Sequence, residues 1–269
     1  MIRFENVSKK FGLITALSGA SFSLDEGEFV FLIGPSGSGK TTIIKLILKE
    51  FVPTEGKIVV NEEDLKKIKS GKIWRFRREI GTVFQDFKLI TDRTVFENVI
   101  LPLEIRKEDR KKSLQQAEEI LKMVGLWERK DLFPAQLAIG EIQRVSLARA
   151  VISKPKLLLA DEPTGNLDPV NSEQLIKLFK EINKNGTTVL MATHNANIVD
   201  FSEERVICLS EGKVISDEKK GKYVLKAVSP KAEENQEPEA TKASAKPKSS
   251  SHKEAKKKQK KLDSQESPD

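Results

Sequence analysis

Residues 34–41 have the sequence GPSGSGKT, and this stretch indicates the fold of the chain. The mostly apolar residues 28–33 before it are typical of a buried strand, and residues 42–48 after it have the spacing of a helix with one apolar face. A Gly-x-x-x-x-Gly-Lys-Thr pattern between a strand and a helix predicts a phosphate-binding loop. Its glycines let successive backbone N–H groups turn inward around a phosphate, and the start of the following helix attracts the same anion.

Two side chains of this loop add chemistry of their own. Lys40 supplies positive charge to the β and γ phosphates of a nucleotide, and the hydroxyl of Thr41 is a ligand for Mg²⁺. The residues that we expect to contact the phosphates are Gly34, Pro35, Ser36, Gly37, Ser38, Gly39, Lys40, Thr41 and Thr42.

The positive charge of the chain is concentrated at its C-terminal end. The 269 residues carry a formal net charge of +7, and residues 219–269 account for +6 of it, with 14 lysines against 8 acidic residues. Residues 1–218 are therefore nearly neutral, which argues against a nucleic-acid-binding domain.

The cellular compartment follows from what the sequence lacks. Its one cysteine, Cys208, excludes an internal disulfide and a cysteine-based metal site, and we expect it in a buried strand. No apolar run approaches the roughly 18 residues of a membrane-spanning helix. The N-terminal residues alternate like a strand and lack the apolar region of a signal peptide, so we expect a cytoplasmic protein.

Strands and helices alternate along most of residues 1–218. Residues 157–161 and 187–192 have the pattern of buried strands and residues 172–184 that of a helix, which predicts a parallel sheet covered on both faces. The helical stretch at about 86–152 interrupts this alternation and is interpreted as an inserted subdomain. Within it, the period of residues 113–124 predicts a helix whose buried stripe consists of Leu114, Ala117, Leu121 and Val124.

Two acidic residues follow the buried strand at 157–160. At this position Asp161 can reach a Mg²⁺ ion held by Thr41, directly or through water. The adjacent Glu162 can orient and deprotonate a water that attacks the γ-phosphate. The alternative is a solvated turn, which the phosphate-binding loop makes the weaker interpretation.

Taken together, these motifs resemble those of the ATP-binding-cassette ATPases over residues 1–218. The resemblance implies a P-loop NTPase α/β fold with an antiparallel β subdomain, an inserted α-helical subdomain and a binding site for ATP with Mg²⁺. It also implies that two copies of the chain form a homodimer when ATP binds. The roles that it assigns are adenine stacking for Phe11, Mg²⁺ and water contact for Gln85, Mg²⁺ binding for Asp161, catalysis for Glu162, subunit contact for residues 165–168, including Asp168, and γ-phosphate contact for His194.

The signature sequence of that family, Leu-Ser-Gly-Gly-Gln/Glu, is altered in this chain. Residues 137–144 are LAIGEIQR, so Ala138 lacks the hydroxyl donor and Ile139 adds a branched side chain in place of a glycine. Gly140 and the helix start remain. By resemblance, this segment touches the γ-phosphate bound by the opposite copy, so we expect an ATP sandwich that is weakened rather than abolished, together with weaker turnover.

Within the family, residues 84–99 (FQDFKLITDRTVFENV) most resemble the ATPases of bacterial cell division, and Asp92-Arg93-Thr94-Val95 is the best discriminator. Those ATPases pair with an integral membrane protein and control cell-wall hydrolysis, which implies a peripheral position on the inner face of the cell membrane. By the same resemblance, residues 86–99 receive the partner. Two alternatives stay open: the motor subunit of a lipoprotein- or macrolide-type exporter, and a weakly hydrolytic scaffold that uses ATP as glue.

Residues 219–269 have the composition of a disordered tail, since Lys, Glu, Ser, Ala and Pro dominate and no aromatic residue follows Tyr223. The run at 256–261, KKKQKK, would attract anionic lipid head groups, and nucleic acid in the same way. A solubilising tail is the favoured interpretation, and the absence of interleaved aromatic residues argues against specific nucleic-acid binding.

Overall fold

A computed structural model describes residues 1–222 of the chain. The predicted tail, with the lysine run at 256–261, lies outside the described residues from residue 223 onward. In chain order, the strands are β1 (Ile2–Phe11), β2 (Ile14–Leu24), β3 (Phe29–Ile33), β4 (Glu55–Val60), β5 (Glu63–Asp64), β6 (Ile80–Val83), β7 (Leu157–Asp161), β8 (Thr188–Thr193), β9 (Arg205–Ser210) and β10 (Lys213–Glu218). The helices are α1 (Lys40–Ile47), α2 (Ile73–Arg78), α3 (Val95–Arg106), α4 (Arg110–Met123), α5 (Ile139–Val151), α6 (Pro169–Lys184) and α7 (Ala196–Ser202).

The strands form two sheets of different kinds. One has the order β2-β1-β4-β5 and is antiparallel. The other has the order β10-β9-β3-β8-β7-β6, and all of its neighbouring pairs are parallel except β10 with β9. The predicted parallel sheet and the antiparallel β subdomain are both confirmed.

Strand β3 shows why the parallel sheet must be covered on both faces. Its five residues are all buried, with Val30 and Leu32 facing one core and Phe29, Phe31 and Ile33 facing another. The first core contains the apolar side chains of α1 and of the antiparallel sheet, and the second contains those of α6 and α7. A strand that is apolar at every position is the pattern of such a two-sided sheet.

A third core lies between α3, α4 and α5, within the stretch predicted to be an inserted helical subdomain. One prediction for α4 was wrong: Leu114 is 41% exposed and does not belong to the buried stripe. Ser113 is buried instead, because its hydroxyl donates to the carbonyl of Asp109 (2.9 Å) and is thereby satisfied inside the turn.

Asn98 of α3 organises the segment that follows Gln85. Its side chain is fully buried; the amide nitrogen donates to the carbonyls of Ile90, Arg93 and Thr94, and the amide oxygen accepts from the N–H of Ile90. A segment without regular structure therefore has a defined course against the helical core. Among the residues that the structure describes, no helix combines the length and the apolar character needed to cross a membrane.

Candidate nucleotide site

Several polar side chains line a cavity near the ends of the parallel strands β3, β6, β7 and β8. The volume of this cavity is about 690 Å³, within the size range of ligand sites. Its lining residues are Ala16, Pro35, Ser36, Gly37, Gly39, Lys40, Thr41, Thr42, Gln85, Glu162 and His194.

The loop between β3 and α1 depends on two glycines for its course. Gly39 has a φ of 108°, and a Cβ placed on it would lie 2.7 Å from a methyl group of Leu17. Gly34 has a φ of 150°, and a Cβ there would lie 2.3 Å from the carbonyl oxygen of Leu209. Any side chain at either position would push the loop away from the strands beneath it.

Lys40, the first residue of α1, is held at the floor of the cavity. Its ammonium group donates to the carbonyls of Gly34 (2.9 Å) and Pro35 (3.2 Å) and lies 3.7 Å from a carboxylate oxygen of Glu162. The side chains of Lys40 and Glu162 are only 8% and 13% exposed. A largely buried ion pair of this kind gives the cavity a fixed arrangement of charge.

Glu162 is held from its other side by His194. Its second oxygen lies 2.9 Å from His194 Nδ1 and accepts from the backbone N–H of His194 (3.2 Å). The backbone of Glu162 has a φ of 48°, in the left-handed region. A residue without a glycine's freedom occupies that region at a cost of about 1–3 kcal/mol, and such strain is concentrated at functional sites.

Asp161 and Thr41 meet beside this pair, as the sequence predicts. The hydroxyl of Thr41 donates to the carboxylate of Asp161 (3.2 Å). Burial raises the pKa of Asp161, an effect that the hydrogen bond from Thr41 partly offsets. The oxygens of the two residues are hard donors of the type that Mg²⁺ takes from proteins. Within residues 1–222 no three His, Cys, Asp or Glu side chains form a group that could hold a metal ion.

Gln85 lines the same cavity, two residues beyond the end of β6. Phe11 does not line it: its ring packs edge-on against Phe51 (5.0 Å between centroids) with the ammonium group of Lys9 4.8 Å from its centroid. Ala16 lines the cavity and was missed by sequence reasoning. Its position depends on the approach of β2 to the turn at Gly212, which leaves no local signal in the sequence.

The remaining predicted residues form a separate group at the starts of α5 and α6. Ala138 precedes α5 without a side-chain cap, and its N–H donates to Glu141 (3.0 Å). A Cβ on Gly140 would lie 2.9 Å from the side-chain amide oxygen of Asn171. The backbone N–H of Asn171 (2.9 Å) and its side-chain amide nitrogen (2.6 Å) both donate to the carboxylate of Asp168. Gly140 therefore permits the starts of α5 and α6 to pack closely. Ala138, Gly140 and Asp168 do not line the cavity around Lys40.

Two aspartates should respond to neutralisation in opposite directions. Burial raises the pKa of Asp161, so its ionised form destabilises the fold; hydrogen bonds from Asn171 lower the pKa of Asp168, so its ionised form stabilises the fold. Without nucleotide at pH 8, we expect Asp161→Asn to raise the melting temperature and Asp168→Asn to lower it.

The pH dependence provides the control for that measurement. The gain in melting temperature from Asp161→Asn should shrink as pH falls through the raised pKa of Asp161 in the folded state. The loss in melting temperature from Asp168→Asn should persist until pH falls below the ordinary pKa of an aspartate, and it should vanish near the lowered pKa of Asp168 in the folded state. Melting temperatures that move in the same direction for both variants at pH 8 would contradict the assignment.

Comparison with known proteins agrees with this geometry. The family model for the ABC transporter matches residues 17–165. The chain is 46% identical over 224 residues to the cell division ATP-binding protein FtsE of Bacillus subtilis, covering 83% of this chain and 98% of that protein. It is 46% identical over 213 residues to the FtsE of Escherichia coli, covering 79% and 96%.

Solved structures give the same assignment. A dimeric ATP-binding cassette in a post-hydrolysis state, bound to ADP and Pi, superposes with a TM-score of 0.75 at 37% identity, covering 83% of this chain and all of that one. A second dimeric structure, of a bacterial ABC transporter cassette, gives a TM-score of 0.75 at 38% identity and the same coverage. With a family match over more than half of its residues, the chain belongs to the ABC transporter family of ATP-binding cassettes.

Proposed function

We propose that this chain is the ATP-binding and ATP-hydrolysing subunit of a bacterial cell-division complex. The observation that carries the catalytic part is the position of Glu162, whose carboxylate lies between Lys40 and His194 on the wall of a cavity bounded by the phosphate-binding loop. The similarity to FtsE proteins over nearly their whole length supports the cellular role.

The geometry supports a division of labour for hydrolysis. Glu162 is positioned to accept the proton of an attacking water, and Gln85 on the same cavity wall is positioned to orient that water. Lys40 and the N–H groups of the loop would neutralise the charge that develops on the phosphates, and His194 would contact the γ-phosphate. Thr41 and Asp161 would hold Mg²⁺, which supplies further charge neutralisation at the phosphates.

The functional unit that we propose is a homodimer closed by ATP. The two similar cassette structures are dimeric. In this chain Ala138, Gly140 and Asp168 lie together at the starts of α5 and α6, away from the cavity around Lys40, and we propose that this group faces the ATP bound by a second copy. Phe11, which is 39% exposed, would stack a face of its ring on the adenine.

A second candidate, an ATP-dependent scaffold with slow turnover, is favoured by one observation. Ala138 precedes α5 and has no polar side-chain group to cap the helix or to reach a phosphate, and Ile139 after it is 52% exposed. The two candidates share the dimer and differ in the rate of hydrolysis.

The membrane partner that we propose is an FtsX-like integral membrane protein, which would place this chain on the cytoplasmic face of the cell membrane. Residues 86–99 are the segment proposed to receive it. They follow Gln85 directly, and hydrogen bonds from Asn98 hold their backbone in place. Movement of the partner would therefore displace Gln85 on the cavity wall.

Replacement of the catalytic carboxylate should stop hydrolysis without preventing ATP binding. Glu162→Gln keeps the shape of the side chain but cannot accept the proton, so the rate should fall by about 10²–10⁴. The measurement is phosphate release by purified protein, with nucleotide affinity determined in parallel. The control is Glu173→Gln on α6, away from the cavity. Equal, measurable rates for Glu162→Gln and the parent protein would contradict the catalytic assignment, whereas a parent rate near zero would favour the scaffold.

Restoration of the signature should tighten the dimer. Ala138→Ser with Ile139→Gly returns a hydroxyl donor to the phosphate and removes a branched side chain. A charge-assisted hydrogen bond of about 1.5–3 kcal/mol corresponds to roughly ten- to hundredfold at each of the two sites, so the ATP-dependent dimerisation constant should rise by at least about tenfold. Sedimentation of these variants in the Glu162→Gln background measures the ATP-dependent dimerisation constant. Because serine also caps α5, Ala138→Gly is included as a cap without a hydroxyl. An unchanged constant in the double variant would overturn this account of the signature.

The membrane partner can be tested by capture. When the chain is expressed together with the FtsX-like membrane protein of the same genome, we expect the two to copurify in detergent in a fixed ratio. An unrelated polytopic membrane protein carrying the same tag is the control. Recovery of the chain in the soluble fraction alone, with no partner retained, would exclude the proposed complex.

A further inference from the structure

Two aromatic rings and two ammonium groups form a cluster at the end of β1, made up of Phe11, Phe51, Lys9 and Lys45. The rings of Phe11 and Phe51 lie 5.0 Å apart between centroids, with 73° between their planes. The ammonium group of Lys9 lies over the Phe11 ring, 4.8 Å from its centroid, and 5.7 Å from the centroid of Phe51. The ammonium group of Lys45 lies 5.5 Å from the Phe51 centroid. At these distances the rings attract both cations.

Hydrogen bonds attach this aromatic cluster to the helix that follows the phosphate-binding loop. The ammonium group of Lys9 donates to the carbonyl of Val52 (2.9 Å), the residue after Phe51. The backbone N–H of Phe51 donates to the carbonyl of Lys45 in α1 (3.3 Å). Because α1 begins with Lys40, the phosphate-binding loop precedes this helix and the support of the aromatic cluster follows it.

The position of the Lys9 charge affects how the Phe11 ring can stack. The carbonyl of Val52 fixes the ammonium group but carries no net charge to neutralise it. A cation over one face of an aromatic ring draws the π electrons of that ring toward itself. The opposite face is then less rich in electrons and stacks more favourably on an electron-rich purine.

We propose that Lys9 and Phe51 are positioning residues for the purine base of the nucleotide. Lys9 covers one face of the Phe11 ring and Phe51 packs against the ring at a steep angle, so the remaining face is held in place for the base. This inference deepens the proposed function and rests on it, because it requires that Phe11 stack on adenine. It adds a source of base recognition that lies outside the cavity around Lys40.

The alternative is that Lys9 attracts the phosphates directly through its charge. Its ammonium group is held over the Phe11 ring by the carbonyl of Val52, and Lys9 does not line the cavity around Lys40. This position favours an effect through the ring. The two mechanisms differ in one measurable respect, since only the effect through the ring depends on the base of the ligand.

Comparison of ATP with tripolyphosphate, which has no base, tests the inference. With Mg²⁺ present, Lys9→Met should weaken binding of ATP about two- to fivefold, the range of an exposed cation–π contact, and leave the affinity for tripolyphosphate unchanged. Phe51→Leu, which keeps an apolar side chain without the ring, should act in the same direction. Lys9→Arg keeps a cation over the ring and should restore most of the ATP affinity. The control is Lys10→Met, at the neighbouring exposed lysine of β1, which should bind both ligands as the parent does.

A double-mutant cycle with Phe11 completes the test. Once Phe11→Ala has removed the ring, Lys9→Met should cause no further loss of ATP affinity. Equal weakening of ATP and tripolyphosphate by Lys9→Met, or a loss that persists beside Phe11→Ala, would assign Lys9 to the phosphates and overturn the inference. Parental ATP affinity in both Lys9→Met and Phe51→Leu would also overturn it, while the adenine contact stands. If Phe11→Ala itself binds ATP like the parent, the adenine contact of the proposed function fails, and the inference fails with it.

Discussion

The ammonium group of Lys40 and the carboxylate of Glu162 lie 3.7 Å apart in a largely buried position, and much of the chain serves to hold them there. Lys40 begins α1, and Glu162 follows the last residue of β7, so their meeting depends on the parallel sheet that brings the ends of β3 and β7 to one edge. Two opposite charges in low-dielectric surroundings attract strongly, but each is costly to desolvate. Such a pair is therefore a weak source of stability, and its value lies in the chemistry that the arrangement permits.

Strain around Glu162 supports the same conclusion. The backbone of Glu162 is in the left-handed region, and one of its carboxylate oxygens contacts both the ring nitrogen and the backbone N–H of His194. Asp161 beside it has a pKa raised by burial, so its ionised form, which the proposed Mg²⁺ contact requires, is disfavoured in the protein alone. A site that contains backbone strain and a buried ionised carboxylate gains stability when its ligand binds. Nucleotide binding would therefore stabilise this edge of the sheet.

The sequence was informative where a residue type is dictated by backbone or charge. Residues 34–41 predicted the loop and its flanking strand and helix, and the acidic pair after residue 160 predicted the strand end opposite Thr41. It was uninformative where the position depends on the packing of distant segments. Ala16 reaches the cavity only because β2 packs against the turn at Gly212. Ala117, Leu121 and Val124 are buried as predicted, whereas Leu114 in the first turns of α4 is exposed and Ser113 beside it is buried, a difference at the edge of the stripe that a hydrophobic period cannot resolve.

Arg149 connects the helix that begins with the altered signature to the segment that follows Gln85. It belongs to α5, and it holds the backbone that leads from Gln85 to Asn98 by donating to the carbonyls of Phe87 and Lys88. Because those two residues are left-handed, loss of the contact would favour a different course for the segment rather than a small adjustment of it. Gln85 lies two residues before Phe87 and lines the cavity around Lys40, so a different course of the segment would also change the wall of that cavity.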